Sequence, residues 1–220
     1  MQQLVLDIVP APPPCFDNFV TATNAELVHA IHAIAVRQDQ EPLLYVWGAA
    51  GSGKSHLLQA SVHLALSQGF TAHYLDASEF ATADLPAYDL VAIDNVEQLD
   101  AASQIKLFNL INQVREGHGR LISAGLTAPM QLPLRADLTT RLGWGLIYQI
   151  HPLSDADKLS VLITHAQARG FTLHPGVADY LIRHWRRDLP SLLAALDSLD
   201  HYSLQTQRPI TLPLLKEVLS

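Results

Sequence analysis

Leu43-Leu44-Tyr45-Val46-Trp47-Gly48-Ala49-Ala50-Gly51-Ser52-Gly53-Lys54-Ser55 is the stretch whose reading decides the fold. Its first five residues form a continuous apolar run, which suits a strand buried on both faces. The rest follows the pattern Gly, any four residues, Gly-Lys-Ser, and His56 to Leu66 then reads as a helix. In that setting the glycines let successive backbone N–H groups turn inward. The helix N-terminus adds its positive dipole end, so the turn can cradle a polyphosphate. Lys54 is placed to reach the β- and γ-phosphates, and the Ser55 hydroxyl to ligate Mg²⁺. The candidate nucleotide-binding residues are Gly48, Gly51, Ser52, Gly53, Lys54, Ser55 and His56, with ADP or ATP and Mg²⁺ as cofactors. A Gly/Ser turn with a chance lysine is the bland alternative, and the flanking strand and helix argue against it.

Outward from this loop, apolar runs alternate with helical periodicity. Strands are expected near 43–47, 71–75, 89–93, 120–124 and 146–150, and helices near 54–68, 77–82, 101–116 and 134–142. A further helix starts after Thr23, with Leu27, Ile31, Ile34 and Ala35 on one face. Such alternation predicts an α/β fold, a parallel sheet sandwiched by helices. It stops after His151-Pro152. Ser154 followed by Asp157 looks like a capping box, and Leu159, Leu162, Ile163 and Ala166 share a helical face that Gly170 ends. Pro175, then Asp188 with Pro190, then Thr211 with Pro213 open three more helices. The expected division is an extended tail and Pro-rich spacer (1–16), an α/β core (17–151) and a small all-helical subdomain (152–220).

A phosphate loop alone hydrolyses nothing; a carboxylate must hold the metal and another group must position water. Leu90-Val91-Ala92-Ile93-Asp94 supplies the carboxylate at the C-terminal end of a buried strand, where parallel sheets bind ligands. Ser55 and Asp94 are thus the candidate Mg²⁺ residues, against the simpler reading of Asp94 as a turn cap. The next residue is Asn95, whose neutral amide cannot take up a proton as a carboxylate does. Glu97 is near in sequence, with no direction implied. The motif therefore supports binding more firmly than turnover.

Composition narrows the remaining choices. The chain has 220 residues, 49% of them hydrophobic, enough for an ordinary core. No run is apolar for the length of a membrane span, and the first residues lack the pattern of a secretion signal. One cysteine, Cys15, cannot form an internal disulfide, and a cytoplasmic protein is expected. The net charge of −7 does not suit nonspecific DNA binding, and Arg183-His184-Trp185-Arg186-Arg187 reads as a solvated helix end. At the N-terminus, Gln2-Gln3-Leu4-Val5-Leu6-Asp7-Ile8 precedes Pro10 and Pro12-Pro13-Pro14. A short apolar peptide on a stiff proline spacer suggests a docking tail; an edge strand packed back on the domain is the alternative.

The loop, the Leu90–Asn95 strand end, the block Leu138-Thr139-Thr140-Arg141-Leu142-Gly143-Trp144-Gly145 and the segment Pro152-Leu153-Ser154-Asp155-Ala156-Asp157-Lys158-Leu159 resemble one family. This is the DnaA-related branch of the AAA+ proteins, and within it the Hda family of regulatory homologues. The resemblance runs from Gln3 to the last helix. It implies a five-stranded parallel core with a helical lid. It also implies that Arg141 is an arginine finger acting in trans on a neighbour's nucleotide, against the plainer reading of an arginine at a helix end. Gln3, Leu4, Leu6 and Ile8 are similar to a peptide that docks on the DNA polymerase III sliding clamp (beta subunit). The implied function is regulation of chromosomal replication initiation by stimulating hydrolysis of DnaA-bound ATP. The implied partners are DnaA and the clamp, with homo-oligomers possible.

The chain ends at Ser220, which is expected to leave no room for a DNA-binding domain, and no sequence-specific DNA binding is expected. Two positions depart from the family. The lid's sensor arginine aligns with Pro190, and Ala124 stands where the first sensor is commonly polar; Arg186 or Arg187 are the substitutes at hand. Both departures, like Asn95, favour holding a nucleotide over hydrolysing it. A self-contained AAA+ ATPase such as a DnaC-like helicase loader remains the alternative, and a scaffold whose nucleotide only stabilises the fold is a third reading.

Overall fold

The computed structural model describes residues 13–85, 88–117, 119–185 and 188–218. The expected docking residues Gln3, Leu4, Leu6 and Ile8, and likewise Arg186 and Arg187, lie outside the described residues. The chain divides into two compact units, one from Pro14 to Pro152 and one from Leu153 onward.

In the first unit β1 (Leu43–Trp47), β2 (Ala72–Asp76), β3 (Leu90–Asp94), β4 (Arg120–Gly125) and β5 (Leu146–Gln149) form one sheet in the order β2-β3-β4-β1-β5. Every pairing is parallel. The three central strands are apolar on both sides because helices cover both faces. On one face α1 (Ala25–Ala35) and α2 (Lys54–Ser67) bury Leu27, Ile31, Ile34, Leu57 and Leu58 against Leu44, Val46 and Ala92. On the other face α4 (Ala101–Arg115) and α5 (Ala136–Leu142), with the short α3 (Ala77–Thr82), bury Leu107, Ile111, Leu138 and Phe80 against Leu43, Tyr45, Val91 and Ile93. The expected α/β class and five parallel strands are what the molecule has.

Differences from expectation are local. The helix expected from 134 begins at Ala136, because Arg135 adopts extended backbone angles (φ −56°, ψ 137°) as its N-cap. Three 3₁₀ turns, at Ala22–Asn24, Val96–Gln98 and Pro129–Gln131, carry too few residues to show a hydrophobic period.

The second unit is α6 (Asp155–Ala168), α7 (Pro175–His184), α8 (Leu189–Thr206) and α9 (Leu212–Val218), around a core that includes Leu162, Leu181, Leu192, Leu196 and Leu215. The capping box forms: Asp157 N–H donates to Ser154 Oγ at 3.1 Å, and Ser154 N–H to Asp157 Oδ2 at 3.1 Å. Gly170, at φ +85°, ends α6 in the left-handed conformation. Asp188 caps α8 by accepting from Ser191 N–H at 2.9 Å. Pro190 occupies the first turn of α8, where its missing N–H leaves no bond unmade. Among the described residues no helix is long and apolar enough to cross a membrane.

Candidate functional site

The loop after β1 is built to keep its backbone close to what lies around it. Gly53 sits at φ +103°, and a Cβ there would meet the Phe19 ring at 2.8 Å. A Cβ on Gly48 would meet the Ile150 carbonyl oxygen at 2.5 Å. Both positions therefore need glycine, one for its torsion and both for space. Gly51 also has positive φ, 73°. Ser52 is buried, and its Oγ has no hydrogen-bond partner. A buried hydroxyl left unpaired costs free energy that a polar ligand in the loop can recover. The turns, the orphan hydroxyl and the lysine suit a polyphosphate.

Lys54 opens α2 and is only 6% exposed. Its ammonium folds back into the loop and donates to Gly48 O at 2.7 Å and Ala49 O at 3.0 Å. Burial pulls its pKa below the ordinary lysine value, and the charges of Asp94 and Glu97 partly oppose that. Ser55, the next residue, is exposed. The His56 ring points to the segment before α1: Nε2 lies 2.9 Å from Cys15 O, and the ring packs 5.4 Å from that of Phe19.

Asp94 ends β3 and is 0% exposed. Its Oδ2 accepts from the Tyr74 hydroxyl at 3.0 Å, and its Oδ1 from Asn95 N–H at 2.9 Å. Burial and the adjoining charge of Asp94 push the Tyr74 phenol up to about 12, while the polar side chains of Gln59 and Ser55 oppose the rise. Tyr74 thus engages Asp94, one of the two expected metal residues. Reading β3 and the loop in isolation missed it. The one signal in sequence was a polar phenol within the strand expected near 71–75; that this strand pairs with β3 is seen only in the structure.

The residues that depart from the usual pattern are also occupied. Asn95 has φ +55°, a left-handed conformation that Asn tolerates better than most residues. Its amide donates to Asp76 Oδ2 at 2.7 Å. That bond is the leading cause holding the Asp76 carboxyl below its usual range. Glu97 turns toward the end of β4 and accepts from Leu126 N–H at 3.3 Å. Ala124 is buried in the core on the α1 and α2 face.

Arg141 lies near the end of α5, on the opposite face of the sheet from α2. Its guanidinium carbon stands 3.8 Å from the Phe108 ring centre and 4.8 Å from that of Trp144. Nε donates to Asn112 Oδ1 at 3.0 Å, and one Nη to Asp137 O at 3.4 Å. The block around it has a packing logic. Gly143 caps α5, and Gly145 lets Leu43 of β1 approach so closely that no Cβ fits. A separate cleft of about 440 Å³ lies at the N-terminal ends of the strands, lined by Arg37, Glu41, Arg115 and Arg120 among others. Arg37 pairs there with Asp89 at 2.6 Å, Arg115 with Glu41 at 4.0 Å, and Arg120 donates to Glu41 O at 3.3 Å while its buried Nε has no partner.

The sheet order, the glycine loop after β1 and the acid ending β3 define a P-loop protein of the AAA+ class. A family model described as the bacterial DnaA ATPase domain matches residues 12–87, and one described as the lid domain of Hda matches residues 155–219. Domain III of the Thermotoga maritima replication initiation protein DnaA is similar at a TM-score of 0.79 and 21% identity, over 94% of this chain and 96% of that one. AMPPCP-bound DnaA from Aquifex aeolicus gives 0.74 at 21% identity, over 88% of this chain and 67% of that chain. The RuvB Holliday junction branch migration motor of Thermotoga maritima gives 0.68 at 16% identity, over 94% and 71%. The chain thus has the AAA+ fold and is similar to the DnaA ATPase domain in its first part and to the Hda lid domain in its last.

Proposed function

We propose that this protein holds an adenine nucleotide in the Gly48–Ser55 loop and supplies Arg141 in trans to DnaA, stimulating hydrolysis of DnaA-bound ATP. Residues Gln3, Leu4, Leu6 and Ile8 tether it to the sliding clamp on DNA. The pairing of a DnaA-type ATPase match with an Hda-type lid match in one chain carries this reading. Adenine nucleotide binding is supported by the loop itself and by a neighbour of the same fold that is bound to AMPPCP. Gly51, Ser52, Gly53 and Lys54 would hold the phosphates. Where Mg²⁺ binds, Ser55 and Asp94 would hold it once Asp94 gives up its bond with Tyr74, and the ion would neutralise phosphate charge. Little in the chain's own site favours turnover, because the Asn95 amide and the Glu97 carboxylate both have structural partners.

Arg141 suits the trans role physically. A guanidinium stays charged and forks onto phosphate oxygens. Phe108 and Trp144 fix its plane while leaving further N–H donors beyond the two that are engaged. A finger of this kind is worth about 10³–10⁵ in rate. The test is a single-turnover assay with DnaA-ATP, clamp loaded on DNA and this protein. Wild type accelerates hydrolysis, and Arg141→Ala is expected to remove the acceleration while still binding ADP. Full stimulation by Arg141→Ala rejects the mechanism.

A further inference from the structure

Asp94 is fully buried, so a cation cannot reach its carboxylate directly or through water without displacing something. The Tyr74 hydroxyl is bonded to it at 3.0 Å. Tyr74 stands on β2 opposite Ala92 of β3, and Asp76 opposite Asp94, which puts all four residues on the α2 face of the sheet. From the other side come Ser55 and Gln59, which lie four residues apart on one face of α2. Both act on the Tyr74 phenol from that side. A phenol has one proton to give and lone pairs to accept with. Here it gives the proton to Asp94 Oδ2 at 3.0 Å. With Asp94 Oδ1 taken by Asn95 N–H, both carboxylate oxygens are engaged within the chain.

We propose that Tyr74 sets the metal dependence of the nucleotide site: by bonding to Asp94, its hydroxyl competes with a divalent cation for that carboxylate, and the protein holds its nucleotide with little help from Mg²⁺. This rests on the reading that the Gly48–Ser55 loop binds a nucleotide. A charged carboxylate bonded by a buried donor gives up that bond only for a better partner. The proposal accounts for a loop that keeps its phosphate cradle while the carboxylate behind it is buried and bonded. It also makes Tyr74 a positioning residue, because it acts through Asp94.

The experiment measures ADP binding by calorimetry to the full chain in EDTA and in excess Mg²⁺, for wild type and Tyr74→Phe. Wild type should bind ADP with nearly equal affinity in both buffers. Tyr74→Phe should bind about tenfold more tightly with Mg²⁺ than without, the size expected when one hydrogen bond to a charged group stops competing. Equal Mg²⁺ responses of the two proteins, or a weaker response in the variant, overturn the proposal. Failure of wild type to bind ADP in either buffer removes the nucleotide reading itself, a result distinct from equal responses. A second measurement needs only wild type, in case Tyr74→Phe folds poorly. Mn²⁺ titrated into the ADP-loaded protein and followed by electron paramagnetic resonance should bind no more tightly than it binds free ADP. Binding about tenfold tighter than that also overturns the proposal.

Discussion

Lys54 and Arg141 are the two cations on which the proposed function depends, and the molecule holds them in opposite ways. Lys54 is drawn inward, with its ammonium bonded to two backbone carbonyls of its own loop and its charge disfavoured by burial. Arg141 is half-buried against aromatic faces, beside a Trp144 that is 43% exposed. The first arrangement suits a charge that must meet a ligand entering the loop. The second suits a charge kept in one orientation at a surface. The same contrast separates their neighbours. Around the loop, Asp94, Tyr74, Asn95 and Asp76 pair with one another, whereas Arg141 is steadied by rings and one amide.

The largest effect expected on the loop side comes from Lys54→Ala. Two charge-assisted bonds to phosphate oxygens are lost, about 3 kcal/mol or roughly a hundredfold in ADP affinity, measured by calorimetry. Stability should change far less, by about 1 kcal/mol, because removing a buried charge offsets the carbonyl bonds it made. Undiminished ADP binding with a large fall in melting temperature would invert the contrast, making Lys54 the structural cation.

Asn95→Gly tests whether the loop side is closed by internal pairing. Glycine accepts φ +55° without strain, so the substitution removes the amide and little else from the folded backbone. The Asp76 carboxyl is held below its usual 3.8 chiefly by that amide. A lowered folded-state pKa gives stability that is present above 3.8 and lost as pH falls through the folded value. The difference between wild type and Asn95→Gly should therefore be about 1 kcal/mol near neutral pH, after allowing for solvent screening, and shrink in acid. Urea denaturation at several pH values measures it, and a gap that widened in acid would reject the pairing.

The legible part of this molecule was what repeats or what a short motif encodes. The strand and helix periods gave the parallel sheet, because buried strands are continuous apolar runs, and Ser154 with Asp157 marked a helix start that forms as read. The glycine loop and Asp94 were visible because their chemistry fixes their spacing. What sequence could not supply was the commitment of side chains brought together from separate elements. Asn95 read only as a missing acid, yet its partner Asp76 lies on another strand. Tyr74 read as one more strand residue, and only the β2–β3 register sets it against Asp94. Arg141 could be placed near a helix end, but the Phe108 ring beneath it comes from α4.

Phe108→Leu carries the smallest expected effect and asks the sharpest question of the Arg141 side. Leucine keeps the apolar contact made by the partly buried Phe108 and removes the π face, so the core should tolerate it. If the ring's task is to hold the guanidinium in place, its loss forfeits a cation–π contact of about 0.5–1 kcal/mol. Stimulation of DnaA-bound ATP hydrolysis should then fall about two- to fivefold, with ADP affinity unchanged. A loss as deep as that of Arg141→Ala would mean that the ring, not the Asn112 bond, chiefly determines where the charge sits. An unchanged rate, with melting temperature also unchanged, would mean that Asn112 and Trp144 suffice to hold Arg141. In that case the ring stack is packing, and the contrast with Lys54 reduces to burial alone.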